Sequence, residues 1–120
     1  MKPGENLDAL VAEKVLNLKR VMMPITDDTF AFVWEPGAIF ILPKYSTDIA
    51  ATWEVVEKMR ANEFTGSVDF MPCYYRVLFH RIGIDPAFST HQEMVAVGAE
   101  ADTAPHAICL AALKAAGVEI

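Results

Sequence analysis

The stretch Tyr74-Tyr-Arg-Val-Leu-Phe-His-Arg-Ile82 constrains this chain most. Its alternation predicts a β-strand. Tyr75, Val77 and Phe79 face one way, and Tyr74, Leu78 and Ile82 face the other. Both faces are largely apolar, which implies a sheet covered on both sides. Such a sheet needs helices, and a chain of 120 residues has room for one core only. With 53% apolar and 22% charged residues the chain is not disordered, and residues 1–120 read as a single domain.

Three helices are expected. Leu7, Leu10, Val11, Val15 and Leu18 recur at helical spacing over residues 6–19, with Asn6 as N-cap. A second helix is expected over 46–62, capped by Ser46 or Thr47, with a buried stripe of Ile49, Trp53, Val56 and Met59 or Arg60. Asn62 and Gly66 end it. The third spans 104–116. Thr103 caps it, Pro105 stands in its first turn and Gly117 is its C′ residue. Ala104, Ala107, Ile108, Ala111, Ala112 and Ala115 form a small-residue stripe that lets this helix lie close to a sheet. Phe30–Trp34 and Ala38–Leu42 flank Glu35-Pro36-Gly37, a hairpin signal. Val68 and Phe70 alternate with Ser67 and Asp69 before a turn at Pro72. Gly83 to Gln92 reads as a loop and Met94–Ala99 as a third strand. Short connections favour an antiparallel meander. The class is α+β, a small antiparallel sheet sandwiched between helices in α/β/α layers, in the order α-(ββ)-α-β-β-β-α.

Sixteen acidic and ten basic residues give a net charge of -6. The basic residues are scattered, so no nucleic-acid partner is expected. Met1–Asn6 has no apolar core of the signal-peptide kind, and the longest apolar runs, 38–42 and 107–113, fall short of the ~20 residues a membrane span needs. The expected location is the cytoplasm, with Cys73 and Cys109 reduced. The mean hydropathy of +0.26 is high for a small monomer and points to apolar surface held between subunits.

Several residue groups carry candidate chemistry, each beside a plainer role. Ser46-Thr47-Asp48 offers hydroxyls and a carboxylate at a helix start, a small polar or anion site; simple capping is the plainer reading, since Asp48 would repel an anion. His106 and Cys109 stand at i,i+3 and supply half a zinc site, whose other half has no partner at motif spacing among His80, His91 and Cys73. His80 and Arg81 with Asp69 form an acid–base set or cross-strand polar pairs. Glu100 and Asp102 are paired carboxylates or simply acids before a helix N-terminus. His91 with Glu93 has no further support. No nucleophile arrangement assembles, so no catalytic residue, metal site or cofactor is expected. Phe30, Phe32, Trp34, Ile39 and Phe40 are the expected interface residues, with Trp34 as exposed anchor and Trp53 in the core.

Three segments in this order carry a resemblance: Leu7–Val15, Tyr45–Met59 with its Tyr45-Ser46-Thr47-Asp48 entry, and Glu100–Leu113 with Thr103-Ala104-Pro105 followed by Ala107-Ile108-Cys109. Together they resemble the phage ABA-sandwich domain family of small bacteriophage and prophage proteins. The resemblance implies phage or prophage origin and helices packed on a sheet, with no assigned activity. The expected function is a non-enzymatic accessory domain acting by self-association or through a protein partner. The alternative is a small-ligand-binding domain or minor enzyme, with a pocket between the 30–42 hairpin and the sheet lined by Trp34, Tyr45 and Tyr74.

Overall fold

The computed structural model describes residues 1–24, 26–27, 30–35, 42–84 and 92–119, and gives the backbone alone for 22–23, 30–33, 82–84 and 92–95. Its elements are α1 (Glu5–Lys14), β1 (Lys19–Pro24), β2 (Phe30–Glu35), α2 (Ile49–Ala61), β3 (Thr65–Phe70), β4 (Tyr75–Ile84), β5 (Gln92–Ala101) and α3 (Ala104–Ala115). The α+β class and the element order match the expectation. The strands form two antiparallel sheets, β1-β2 and β3-β4-β5.

Helix α3 is the centre of the molecule. It packs on β4 and β5 on one side, and α1 and α2 pack on it from the other. This position needs apolar atoms on two sides, and Ala107, Ile108, Cys109, Ala111, Ala112 and Leu113 are all buried. The alanines keep the layers close, as small side chains do. Val77, Phe79 and Ala99 meet α3 from the sheet; Leu7, Val11, Val55 and Met59 meet the same core from the other helices. Among the described residues helix cover therefore lies on one face of the three-stranded sheet, so the expected α/β/α layering with both faces covered is not what they form. The opposite face presents Ser67, Asp69, Arg76, Leu78, Gly98 and Glu100, all exposed.

Local chemistry explains where the elements stop. Helix α1 is shorter than the 6–19 expected, and its N-cap is Gly4 rather than Asn6. Asn17 adopts the left-handed region at φ 57, which asparagine tolerates well, and turns the chain into β1. Helix α2 begins at Ile49, where the Asp48 carboxylate accepts from the Ala50 N–H at 3.0 Å; Ser46 and Thr47 precede the helix and do not cap it. At its other end the Phe64 N–H bonds to Met59 O and the Glu63 N–H to Arg60 O, a Schellman closure. The left-handed residue there is Glu63, at φ 66, not a glycine. Glu63→Gly is therefore expected to raise the unfolding free energy by about 1 kcal/mol in a urea titration. Helix α3 keeps its expected ends. Thr103 Oγ1 accepts from the His106 N–H at 3.3 Å, and Gly117 closes the helix at φ 86.

The hairpin is re-partnered. Phe30–Trp34 is a strand, but its neighbour is β1, with Arg20 opposite Trp34 and Lys19 opposite Glu35. Residues 38–41 of the expected second arm lie outside the described residues, and Leu42 belongs to no strand. Strands β4 and β5 extend into the expected 83–92 loop from both sides, pairing Gly83 with Glu93 and Ile84 with Gln92.

Candidate interaction surface

Helix α2 presents a different face from the one its spacing predicts. Thr52, Val55 and Met59 are buried, whereas Trp53 is 58% exposed and Ile49 55%. The buried stripe is thus rotated by about a residue, with a threonine in place of the tryptophan. Thr52 is satisfied there because its hydroxyl lies 2.8 Å from the Asp48 carbonyl and 2.5 Å from that of Tyr45. The exposed Trp53 stands on the wall of an apolar groove of about 440 Å³. Val56, Met59 and Arg60 complete that wall, and β3 forms the other with Thr65, Gly66, Ser67 and Val68. Phe64, Phe79 and Ile108 form the floor. The floor is fixed by ring contacts: Phe64 and Phe79 meet edge to face at 6.4 Å, and the Arg81 guanidinium sits 4.7 Å from the Phe64 ring centre. Gly66 is part of the construction. A Cβ there would come within 2.8 Å of the Phe79 ring, so only glycine lets that ring lean across β3.

A second constellation lies at the junction of α1, α2 and α3. Asp8 is 4% exposed, and its Oδ1 accepts from both the Ser46 N–H at 2.7 Å and the Ser46 hydroxyl at 2.6 Å. The Gly4 N–H in turn donates to Ser46 Oγ at 2.9 Å. The functional reading of Ser46 as an anion site does not fit, since a carboxylate already occupies its donors. Beside it Tyr45 is fully buried, and its hydroxyl has no hydrogen-bond partner among the described residues. An unpaired buried hydroxyl costs about 1–3 kcal/mol of desolvation. Tyr45→Phe is therefore expected to stabilise the fold by about 1 kcal/mol, seen as a rise of about 4 °C in melting temperature.

This junction also sets a response to alkali. Burial first, then the charges of Glu54 and Asp8 and the neighbouring Cys109, push the Tyr45 phenol up from 10.0 to about 12. Burial, then Asp8, pushes the Cys109 thiol up from 9.0 to about 12. In both cases the fold holds the proton more tightly than the unfolded chain does. Their stabilising contribution is complete below pH 9 and is lost as pH rises from 9 to 12. Each group accounts for about 1.4 kcal/mol per pH unit within its own window. Urea unfolding is expected to show a flat stability from pH 7 to 9 and a steep fall beyond. Cys109→Ala is expected to remove the portion between pH 9 and 10.

The remaining candidate residues are not brought together. His106 Nε2 lies 2.7 Å from the Met1 carbonyl, whereas Cys109 is buried in the core. No group of three or more potential metal ligands occurs among the described residues. Register places Asp69 opposite Arg76 and Thr65 opposite His80, so Asp69 and His80 are not neighbours. Glu100 is tied to Arg76 at 3.2 Å, an exposed cross-strand pair. His91 and the side chain of Glu93 lie outside the described residues, as do Ile39, Phe40 and the side chains of Phe30 and Phe32. Trp34 is described and buried at 8% exposure, so it is not an exposed anchor.

Helix α3 on the sheet, with two further helices behind it, accompanies a family match over residues 9–113 to the phage ABA sandwich domain. The chain belongs to that family. No curated protein and no solved structure matches it. The match covers α2, β3 and most of α3, including every residue that lines the groove, so the groove lies within the phage ABA sandwich domain itself. No helix among the described residues is long and apolar enough to cross a membrane.

The sequence pattern identified β3 as a strand but did not mark Val68 and Phe70 as surface residues. They are 48% and 82% exposed. The available signal was Gly66: a glycine inside a strand pattern often marks a close approach by a neighbouring group.

Proposed function

We propose that this phage ABA sandwich domain is a non-enzymatic accessory protein of the host-cell cytoplasm, acting by self-association or by binding a protein partner. One observation carries the proposal. Trp53, Val68 and Phe70 are exposed on or beside the same groove, and interface anchors are characteristically aromatic side chains set beside apolar pockets. Phe30, Phe32, Ile39 and Phe40 remain proposed contact residues, without Trp34. Light scattering over a concentration series, with affinity capture from phage-infected cells and mass spectrometry, tests the reading. A dimer, or one phage or host protein retained in stoichiometric amount, is expected. A strict monomer that retains nothing above control would overturn it.

A small apolar ligand is the second reading. A groove of about 440 Å³ falls in the range of small-molecule sites. It lies between α2 and β3, and Trp34 and Tyr45, expected to line a pocket, are core residues. Aromatic and aliphatic fragments titrated into labelled protein should shift Gly66 and Phe79 amide resonances if this reading holds. Unshifted resonances at millimolar fragment would end it.

A further inference from the structure

Among the described residues strand β3 forms one edge of its sheet, and every one of its residues is exposed. Directly opposed residues of an antiparallel pair share a face. Gly66, Val68 and Phe70 lie opposite Phe79, Val77 and Tyr75, so they stand on the face that carries α3 and the groove. Thr65, Ser67 and Asp69 stand on the open face. The two edges of the sheet are not alike. On β5 the Gly98 carbonyl accepts from Lys114 Nζ at 3.0 Å, and a lysine on an edge discourages pairing with another chain. On β3 the side chains are neutral apart from Asp69, and two of them are exposed apolar groups.

Resting on the self-association reading above, we propose that the occupant of this edge is a second copy of the same chain. Strand β3 of one copy pairs antiparallel with β3 of the other, the two-fold axis passing at Val68, so that a six-stranded sheet runs through the dimer. This register is singled out by complementarity. It sets Phe70 of the second copy opposite Gly66, where it meets the Phe79 ring that leans across that position and the groove beside Trp53. On the open face it sets Asp69 of one copy opposite Ser67 of the other, a carboxylate against a hydroxyl donor. An axis at Asp69 would instead oppose two carboxylates, which is destabilising. An axis at Ser67 would leave Phe70 opposite Phe64, before the start of the strand.

The area agrees with a modest dimer. Phe70 and Trp53 together contribute roughly 300 Å² per copy, from the ~150–250 Å² an aromatic side chain buries. Val68 and six residues of backbone bring the total toward about 1,200 Å², the lower end of specific interfaces. The net charge of -6 on each copy opposes association, but charges beyond about 8 Å are largely screened at physiological ionic strength. Dissociation in the micromolar range is the expected outcome.

Sedimentation equilibrium of the full chain from about 1 µM to 1 mM is the first test, and a monomer-to-dimer transition is expected. Val68→Lys places two ammonium groups on the axis and should leave a monomer across that range, with unchanged circular dichroism. Register is read by cross-linking in a Cys73→Ser background, because Cys73 is itself exposed. Val68→Cys should oxidise readily to a covalent dimer, since opposed residues of an antiparallel pair lie within disulfide reach. Asp69→Cys should not, because it faces position 67 of the other copy. A dimer indifferent to Val68→Lys, or cross-linking equal at 68 and 69, overturns the edge pairing and leaves self-association through another surface standing. A wild-type monomer up to 1 mM overturns the edge pairing together with self-association, leaving partner binding as the remaining part of the proposed function.

Discussion

Trp34→Ala is expected to lower the unfolding free energy by about 3–5 kcal/mol, and Trp53→Ala by less than about 1 kcal/mol. Trp34 is 8% exposed and belongs to the same buried cluster as Leu18 and Tyr45, so truncating it leaves a cavity as well as losing transfer free energy. Trp53 is 58% exposed and leaves little behind when removed. Urea unfolding well below the micromolar dissociation constant, where self-association is negligible, separates the two. Fluorescence provides an independent check. The Trp53→Phe variant should retain blue-shifted emission that acrylamide quenches poorly, and Trp34→Phe should retain red-shifted emission that it quenches easily. Equal losses from the two alanine substitutions, or the reverse order, would mean that the face which α2 buries is misassigned.

The two tryptophans show how far the sequence could be read. Helical spacing placed Trp53 on a buried stripe with Ile49 and Val56. Periodicity, however, fixes a stripe only to within a residue or so when apolar and small residues surround it. Helix α2 reads Ile49-Ala-Ala-Thr-Trp-Glu-Val-Val-Glu-Lys-Met59, and a face through Thr52, Val55 and Met59 serves as well. What decides is the Thr52 hydroxyl, which bonds to the chain entering the helix and so becomes acceptable inside. That bond depends on the turn at 45–48, which no spacing reveals. Trp34 fails for the opposite reason. Its position before Pro36-Gly37 suggests a hairpin tip, but the tertiary partner of its strand is Lys19–Pro24, a segment to which the sequence pattern assigns no strand. By contrast, α3 was legible at both ends, because Thr103 and Gly117 act on backbone groups beside them. Strand β4 was legible because its alternation is strong. The groove was not legible, since it arises where α2, β3 and the Phe79 ring meet, and none of the three carries its outline alone.

Asp8→Ala is the second substitution with a large expected cost, about 3–5 kcal/mol. The carboxylate joins α1 to the chain entering α2, across a sequence separation of 38 residues. Its removal leaves the Ser46 amide and hydroxyl buried without their acceptor, and each unsatisfied buried group costs about 1–3 kcal/mol. Asp8→Asn keeps an oxygen in place and forfeits only the charge assistance, so about 1 kcal/mol is expected. Urea titrations of Asp8→Ala, Ser46→Ala and the double variant close a cycle, and a coupling energy of at least about 1 kcal/mol is expected between these contacting residues. Additive losses would show that the contact does not join the two elements. Asp8→Asn has a second consequence that packing alone would not produce. The Asp8 charge helps to raise both the Tyr45 phenol and the Cys109 thiol. Removing it brings both groups closer to their unfolded values and narrows the pH window in which alkali destabilises the fold. The variant should therefore be less stable than the parent at pH 7 and lose less stability between pH 9 and 11. A parallel decline of the two proteins over that range would exclude Asp8 and leave burial and Glu54 as the origin of the alkaline response.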